Sequence, residues 1–109
     1  MRQLRWISYQ LGAGLLLLMA AEAAPVIRIA AGYEHTFAIR SGGVVWGWGA
    51  NTGGQLGVGT TTNEPWPVRM LNLAGVTEVR AGGAHSVALA GDGTVWACGR
   101  NMVGQLGDG

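Results

Sequence analysis

Two histidines, His35 and His85, are the residues whose type and spacing most readily suggest chemistry. They lie 50 positions apart, and Glu34 directly precedes the first of them. Imidazole and carboxylate groups bind metals, but a zinc site needs three or four ligands that converge on one point. The fixed offset favours a structural role, in which each ring occupies the same place in successive units and bridges backbone groups of neighbouring turns. We therefore expect no metal and no cofactor.

Three further features have catalytic alternatives that the sequence does not favour. Asp92 precedes Gly93 and is typical of a turn. Cys98, the only cysteine, has no acid or base partner in the sequence and is expected to be a buried, unreactive thiol. The segment 53–59 is rich in glycine but lacks the lysine and the following helix of a phosphate-binding loop. These observations predict a protein that is not an enzyme.

The composition excludes several classes of partner. The chain of 109 residues has seven arginines, no lysine, six acidic residues and a formal net charge of +1. Singly scattered arginines do not form the continuous positive surface that binds a phosphate backbone. We therefore expect no nucleic-acid partner, and a single cysteine leaves no internal disulfide to hold the fold.

The chain repeats itself at an offset of 50 residues. Residues 28–59 and 78–109 align without a gap and are identical at 14 of 32 positions. Self-similarity with such a period is the signature of propellers and solenoids. The repeated residues that we expect to be structural are Gly32, His35, Trp46, Gly49, Asn51, Gly54, Gln55, Leu56 and Gly57 in the first unit, and Gly82, His85, Trp96, Gly99, Asn101, Gly104, Gln105, Leu106 and Gly107 in the second.

Each unit is predicted to be β structure, since no segment after Pro25 has helical periodicity. Short apolar runs bounded by glycine predict strands at 36–39 and 44–49, and again at the equivalent positions 50 residues later. The pairs Gly42-Gly43 and Asp92-Gly93 fit two-residue hairpin loops between these strands.

Two-residue loops fix the expected register of each hairpin. They place Ile39 opposite Trp46 and Phe37 opposite Trp48, with only small residues on the other face of the sheet. The second unit repeats this arrangement around Trp96. We therefore expect the tryptophans to pack against the next unit and the small residues against the previous one, as in the blades of a propeller.

The repeated residues resemble the regulator of chromosome condensation repeat family. Residues 31–36 read Ala-Gly-Tyr-Glu-His-Thr, and residues 43–51 read Gly-Val-Val-Trp-Gly-Trp-Gly-Ala-Asn. Residues 81–86 and 93–101 repeat the pattern and depart from it at Cys98, where the family usually has tryptophan. The resemblance extends over residues 26–109 and implies a seven-bladed propeller whose blades each have four antiparallel strands.

The expected fold is therefore all-β, with propeller blades of four antiparallel strands. The first repeat is predicted at residues 24–75 and a second, truncated repeat at 76–109. About 1.7 repeats of 50 residues form an incomplete propeller, because closed rings need about four to eight blades. We expect the isolated segment to self-associate, since uncovered faces and strand edges favour association.

The amino terminus is predicted to be a secretory signal peptide. Arg2 and Arg5 precede the apolar run 11–21, and Ala21-Glu22-Ala23 supplies the small residues of a cleavage site. A membrane anchor, the alternative, usually needs about 18 or more uninterrupted apolar residues. We expect cleavage after residue 23, no stable membrane anchor, and a secreted or periplasmic protein.

The resemblance implies a non-enzymatic, protein-binding scaffold. A nuclear exchange-factor role, known in this family, is disfavoured by the export signal, whereas a secreted bacterial type that inhibits β-lactamase fits it better. A purely structural extracellular array and the amino-terminal part of a propeller enzyme remain alternatives.

Within such a scaffold, the connection 58–67 is the longest segment free to bind a protein partner. It carries Glu64 and Trp66, and two prolines flank the tryptophan. Prolines limit the entropy lost when a loop is ordered on binding, and tryptophan is a frequent interface anchor. Glu64 and Trp66 are therefore the predicted partner-binding residues, with packing of Trp66 on the blade edge as the alternative.

Overall fold

The computed structural model describes residues 24–70 and 73–109, which form seven β-strands and no helix. No helix in this part of the chain could cross a membrane. The predicted signal peptide lies outside the described residues. The strands are β1 (Val26–Ala31), β2 (His35–Arg40), β3 (Val44–Gly49), β4 (Glu64–Arg69), β5 (Val76–Ala81), β6 (His85–Ala90) and β7 (Val95–Gly99).

The strands form two antiparallel sheets, one from each repeat. The first sheet has four strands in the order β1-β2-β3-β4, and the second has three in the order β5-β6-β7. Each sheet is a meander, in which strands adjacent in the chain are also adjacent in space. The prediction of an all-β fold made of propeller blades is confirmed, with the second blade one strand shorter than the first.

The predicted register of the hairpins is wrong by one residue in both repeats. Phe37 pairs with Gly47 and Ala38 with Trp46, and the second repeat has the same pattern. The loops have three residues, as the bond from Gly93 N to the carbonyl of Ala90 at 3.0 Å and the bond from Ala90 N to the carbonyl of Thr94 at 2.9 Å show. Gly93 has a φ of +89°, as in a three-residue loop that ends in a left-handed residue.

Because of this shift, the side chains of the second strand of each hairpin lie on the opposite face of the sheet from the predicted one. Phe37, Ile39 and Val45 share one face and are buried, whereas Trp46 lies with Ala38 on the opposite face. Trp96 pairs with Ala88 in the same way, and its side chain is 47% exposed. The expectation that the tryptophans pack against the next repeat is therefore wrong.

The core lies between the two sheets. Phe37, Ile39 and Val45 of the first repeat form one buried cluster with Val79 and Ala88 of the second. Large side chains of the first sheet thus pack against smaller ones of the second, as predicted, but these large side chains are not the tryptophans. Full burial of a side chain as large as Phe37 stabilises the fold by about 2–3 kcal/mol.

Glycine at position 47 is a requirement of this core. A Cβ at Gly47 would lie 2.7 Å from Cε1 of Phe37, because the phenyl ring covers the backbone there. The second repeat has Val87 and Ala97 at the two equivalent positions. A smaller residue on β6 thus accompanies the extra methyl group on β7.

Candidate functional site

The predicted structural histidine of the first repeat links the two sheets. His35 is buried, and its Nε2 lies 2.8 Å from Oγ of Ser86. The Ser86 hydroxyl donates its only proton to the carbonyl of Gln55 at 2.7 Å. Nε2 of His35 must therefore be the donor to Ser86. The ring bridges to a backbone group of its own repeat through a side chain of the next, and we name this chain of bonds the histidine relay.

Glycine makes room for the imidazole. A Cβ at Gly32 would clash with the His35 ring and with the carbonyl of Gly82. Gly82 has the same relation to His85 in the second repeat. The repeated Ala-Gly-x-x-His sequence is thus a packing motif, in which the glycine leaves the space that the imidazole ring occupies.

The surroundings of His35 favour its neutral form. Burial lowers the pKa of His35, the backbone of His85 partly offsets this effect, and the electrostatic influence of His85 lowers the pKa further. Within the described ranges, Nδ1 of His35 has no hydrogen-bond partner, as is consistent with a neutral ring protonated at Nε2. Among the same residues no group of three histidine, cysteine, aspartate or glutamate side chains is placed to hold a metal ion.

Asn51 organises the long connection of the first repeat. Its Nδ2 donates to the carbonyls of Thr60 and Thr62 at 2.9 and 3.1 Å, and its Oδ1 accepts from Leu56 N at 2.9 Å. Its own backbone N–H donates to Oδ1 of Asn63 at 2.8 Å. One buried amide therefore satisfies several backbone groups of a loop that has no strand partner.

The second repeat builds the same turn. Oδ1 of Asn101 accepts from Leu106 N at 3.0 Å, and Oε1 of Gln105 accepts from Val103 N at 2.9 Å. Gln55 accepts from Gly53 N in the equivalent way at 2.9 Å. The glycine-rich segment is thus a turn held by its own asparagine and glutamine side chains.

Glu64 and Trp66, the predicted partner-binding residues, lie on β4, an edge strand of the kind that tolerates proline, so the predicted connection 58–67 ends at residue 63. β4 is the outermost strand of the first sheet, and Glu64 pairs with Gly49. The pairing with β3 shifts between Gly49 and Gly47, and Trp66 falls in this irregular stretch. Its side chain is 43% exposed, whereas Pro67 is buried. The structure thus places both residues on one edge of the blade, with the indole half covered.

A cleft that the sequence did not indicate opens between the two repeats at one end of the sheets. Its lining residues include Tyr33, Glu34, His85 and Arg100, and Tyr33 is 84% exposed. The two repeats differ at the start of this lining, with Tyr33-Glu34 in the first and Gly83-Ala84 in the second. Divergence inside an otherwise repeated motif is the signal that could have pointed to this surface.

Cys98 and Asp92 are held in structural contacts. Burial raises the pKa of the Cys98 thiol, and its Sγ lies 3.4 Å from the carbonyl of Gln55. Hydrogen bonds from Thr94 lower the pKa of Asp92, whose Oδ1 accepts from Thr94 N at 2.9 Å in the hairpin loop. A protonated thiol is a poor nucleophile, and the carboxylate stabilises a turn.

Similar proteins share this arrangement of strands. A solved structure described as Kap60 bound to yeast RCC1 (Prp20) superposes with a TM-score of 0.65 at 24% identity, covering 72% of this chain and 20% of that one. Human WBSCR16 gives 0.69 at 24% identity, with 72% and 21% covered. Prp20p from Saccharomyces cerevisiae, described with its binding to Gsp1p and histones, gives 0.60 at 32% identity, with 69% and 18% covered.

Sequence comparisons identify the same repeat. The probable E3 ubiquitin-protein ligase HERC3 of Homo sapiens is 49% identical over 37 residues, which are 34% of this chain and 4% of that protein. The chain thus spans a small part of that relative and about a fifth of each solved chain. Models of the regulator of chromosome condensation (RCC1) repeat match residues 42–89 and, in a second form, residues 26–55 and 76–105. Together with the two blade-like sheets, these matches show that the chain belongs to the RCC1 repeat family.

Proposed function

We propose that the chain is a protein-binding segment of an RCC1-type propeller and that β4 carries its contact surface. The observation that supports this most directly is the exposure of Trp66 on an outermost strand. Prolines on either side restrict the backbone, so little conformational entropy is lost when a partner covers the indole. Glu64 on the same strand adds a charge beside the aromatic anchor. The solved relatives described with Kap60, Gsp1p and histones are protein-binding proteins.

The test compares Trp66→Ala with Tyr33→Ala, a matched control because Tyr33 is an exposed aromatic residue away from β4. The chain is immobilised, exposed to extract of its source cells, and the captured proteins are quantified by mass spectrometry. An anchor worth about 2 kcal/mol corresponds to roughly a 30-fold loss of affinity. We expect Trp66→Ala to lose a defined set of proteins that Tyr33→Ala retains.

Thermal melting of the same variants separates binding from packing. Trp46→Ala is the packing control, since Trp46 lies within the first sheet opposite Ala38. If Trp66→Ala lowers the melting temperature as much as Trp46→Ala and captures the same proteins as the parent chain, Trp66 only packs on the blade edge. The alternative of a purely structural array would then be favoured.

We further propose that the role is not enzymatic. The candidates for chemistry are engaged in structural contacts: His35 in the histidine relay, Asp92 in a hairpin loop and Cys98 as a half-buried thiol. A catalytic domain elsewhere in a longer protein is the competing possibility. Tandem RCC1-type repeats alone in the complete reading frame would support the binding role, and a catalytic domain after them would favour an enzyme.

We also propose that the chain is exported, to the periplasm or the exterior, after cleavage behind Ala23. The support is the pattern of two arginines, an apolar run and small residues at 21–23. Intact-mass analysis of the exported fraction should find a chain that starts at Ala24. A chain that keeps Met1 and stays in the cytoplasm would remove this part of the proposal.

A further inference from the structure

The outer face of the second repeat carries the residue types with which the first repeat packs. Val87, Leu89 and Val95, which we call the leading face, stand 50 positions after Phe37, Ile39 and Val45. The earlier residues are buried against the second repeat. By contrast, Val95 is 63% exposed. The leading face therefore has the apolar composition of a buried surface, but within the described residues no other repeat packs on it.

The outer face of the first repeat is the counterpart. Ile29, Thr36 and Ala38, which we call the receiving face, stand 50 positions before Val79, Ser86 and Ala88. Ile29 is 78% exposed, whereas Val79 is 4% exposed because the first repeat covers it. Ile29 pairs with Ala38 as Val79 pairs with Ala88, so the receiving face has the same strand register as the face of the second repeat that packs on the first.

The histidine relay is half assembled at each outer face. Gly82 seats the ring of His85 as Gly32 seats that of His35, and Gln105 bonds its own turn as Gln55 does. Among the residues that the structure describes, no hydroxyl lies beside them as the Ser86 hydroxyl lies beside His35. Thr36 carries a hydroxyl at the equivalent position of the receiving face.

Compared with the internal interface, the leading face has a smaller side chain and the receiving side of the first sheet has a larger one. The leading face has Val87 where the internal interface has Phe37, and the side of the first sheet that bears the receiving face has Trp48 where the second repeat has Cys98. Arg40 replaces Ala90, and its guanidinium donates to the carbonyl of Ala24 at 3.0 Å at the start of β1. Volume lost on one face is thus regained on the other.

We propose that the leading face of one copy of this chain packs on the receiving face of a second copy, with the Thr36 hydroxyl of the second copy between His85 Nε2 and the Gln105 carbonyl of the first. The two contacting surfaces differ, so the contact is head-to-tail and leaves one face open on each end of the pair. Such a contact adds further copies and produces a series of oligomers.

Sedimentation velocity of the purified chain over a range of concentrations tests this contact. The parent chain should form a concentration-dependent series of dimers and larger species. Leu89→Glu blocks the leading face and Ile29→Glu blocks the receiving face, so each variant alone should be monomeric. Ser41→Glu is the control, because Ser41 is exposed in the first hairpin loop and its equivalent, Gly91, has no atom of the first sheet near it, and it should associate like the parent.

Mixing the two blocked variants shows the direction of the contact and also that both are folded. Leu89→Glu keeps its receiving face and Ile29→Glu keeps its leading face, so an equimolar mixture should form a dimer with one copy of each and nothing larger. The relay is tested in this dimer by adding a second substitution to the Leu89→Glu copy. Thr36→Val should weaken the dimer roughly fivefold, the effect of one hydrogen bond, whereas Thr36→Ser should not weaken it.

Three results would overturn the proposal. The parent chain is monomeric at every concentration, the two variants associate as the parent does, or their mixture stays monomeric. Association that survives both face substitutions would indicate pairing of the outer strands β4 and β7, or contact through residues 1–23. Equal dimer strength with Thr36→Val and Thr36→Ser would remove the relay from the contact.

Discussion

Removal of the Ser86 hydroxyl tests the histidine relay inside one chain. Ser86→Ala deletes the acceptor of the bond from His35 Nε2 and the donor of the bond to the Gln55 carbonyl. His35, Gln55 and Ser86 are all buried, so water does not readily replace the hydroxyl. The substitution therefore leaves two polar groups of the first repeat without their main partner.

The expected cost follows from these two groups. A buried donor or acceptor that loses its partner costs about 1–3 kcal/mol. The Gln55 carbonyl keeps a weak contact with Sγ of Cys98 at 3.4 Å, so its share lies at the low end of that range. The N–H of His35 loses its 2.8 Å bond to the Ser86 hydroxyl, so its share is the larger one. We expect Ser86→Ala to lower the free energy of unfolding by about 2–3 kcal/mol.

Urea unfolding followed by tryptophan fluorescence measures this change. Protein concentration is kept fixed, because self-association would add to the apparent stability. Ser41→Ala is the matched control, since Ser41 is an exposed serine in the first hairpin loop, and a change there should stay within about 0.5 kcal/mol. A Ser86→Ala chain that unfolds at the same urea concentration as Ser41→Ala would refute the relay as a source of stability.

Three other perturbations have expected outcomes that the structure fixes. Folding lowers the pKa of His35 below its ordinary value of 6.5, so the unfolded chain binds more protons below about pH 7. The free energy of unfolding should therefore fall on acidification from pH 7 towards the folded pKa. Urea titrations at several pH values should show this dependence on pH, and His35→Gln should reduce it. Phe37→Ala should lower the free energy of unfolding by about 3–5 kcal/mol, whereas Ile27→Ala, at an exposed position, should change the melting temperature little. Because burial raises the pKa of Cys98, a thiol reagent at pH 8 should react slowly with the folded chain and at the ordinary rate after unfolding in urea.

The contradicting results differ for each of these. Stability that rises on acidification would mean that folding favours the charged form of His35. Equal melting temperatures for Phe37→Ala and Ile27→Ala would place the core elsewhere. Fast labelling of Cys98 in the folded chain would show a thiolate that the structure does not predict.

The strands and the repeat could be predicted from the sequence because both depend on local patterns. Apolar runs bounded by glycine define β2 and β3, and the offset of 50 residues carries them to β6 and β7. The hairpin register could not be predicted with the same safety. Asp92-Gly93 fits a two-residue loop and equally fits the end of a three-residue loop, since Gly93 has a positive φ in both, and only the pairing of β6 with β7 distinguishes them.

The contacts between repeats were the least predictable part of the site. Thr36 and Ser86 occupy equivalent positions after the two histidines, but the sequence does not indicate that the Ser86 hydroxyl bonds to the histidine of the other repeat. The partner of His35 lies 51 residues away in the chain. The cleft with Tyr33 and Arg100 likewise depends on how two sheets meet. Such features come from tertiary packing, which local patterns do not specify.

The three-residue hairpin loop also limits how these repeats can change over time. Side chains alternate between the two faces of a strand, so the number of residues in the loop sets the parity of everything after it. Deleting one residue from 41–43 would turn β3 over relative to β2, move Gly47 from beneath Phe37 and direct Trp46 at the second repeat. Substitutions in the loop leave this parity intact. Repeats of this kind should therefore diverge in loop sequence while the length of the hairpin stays constant.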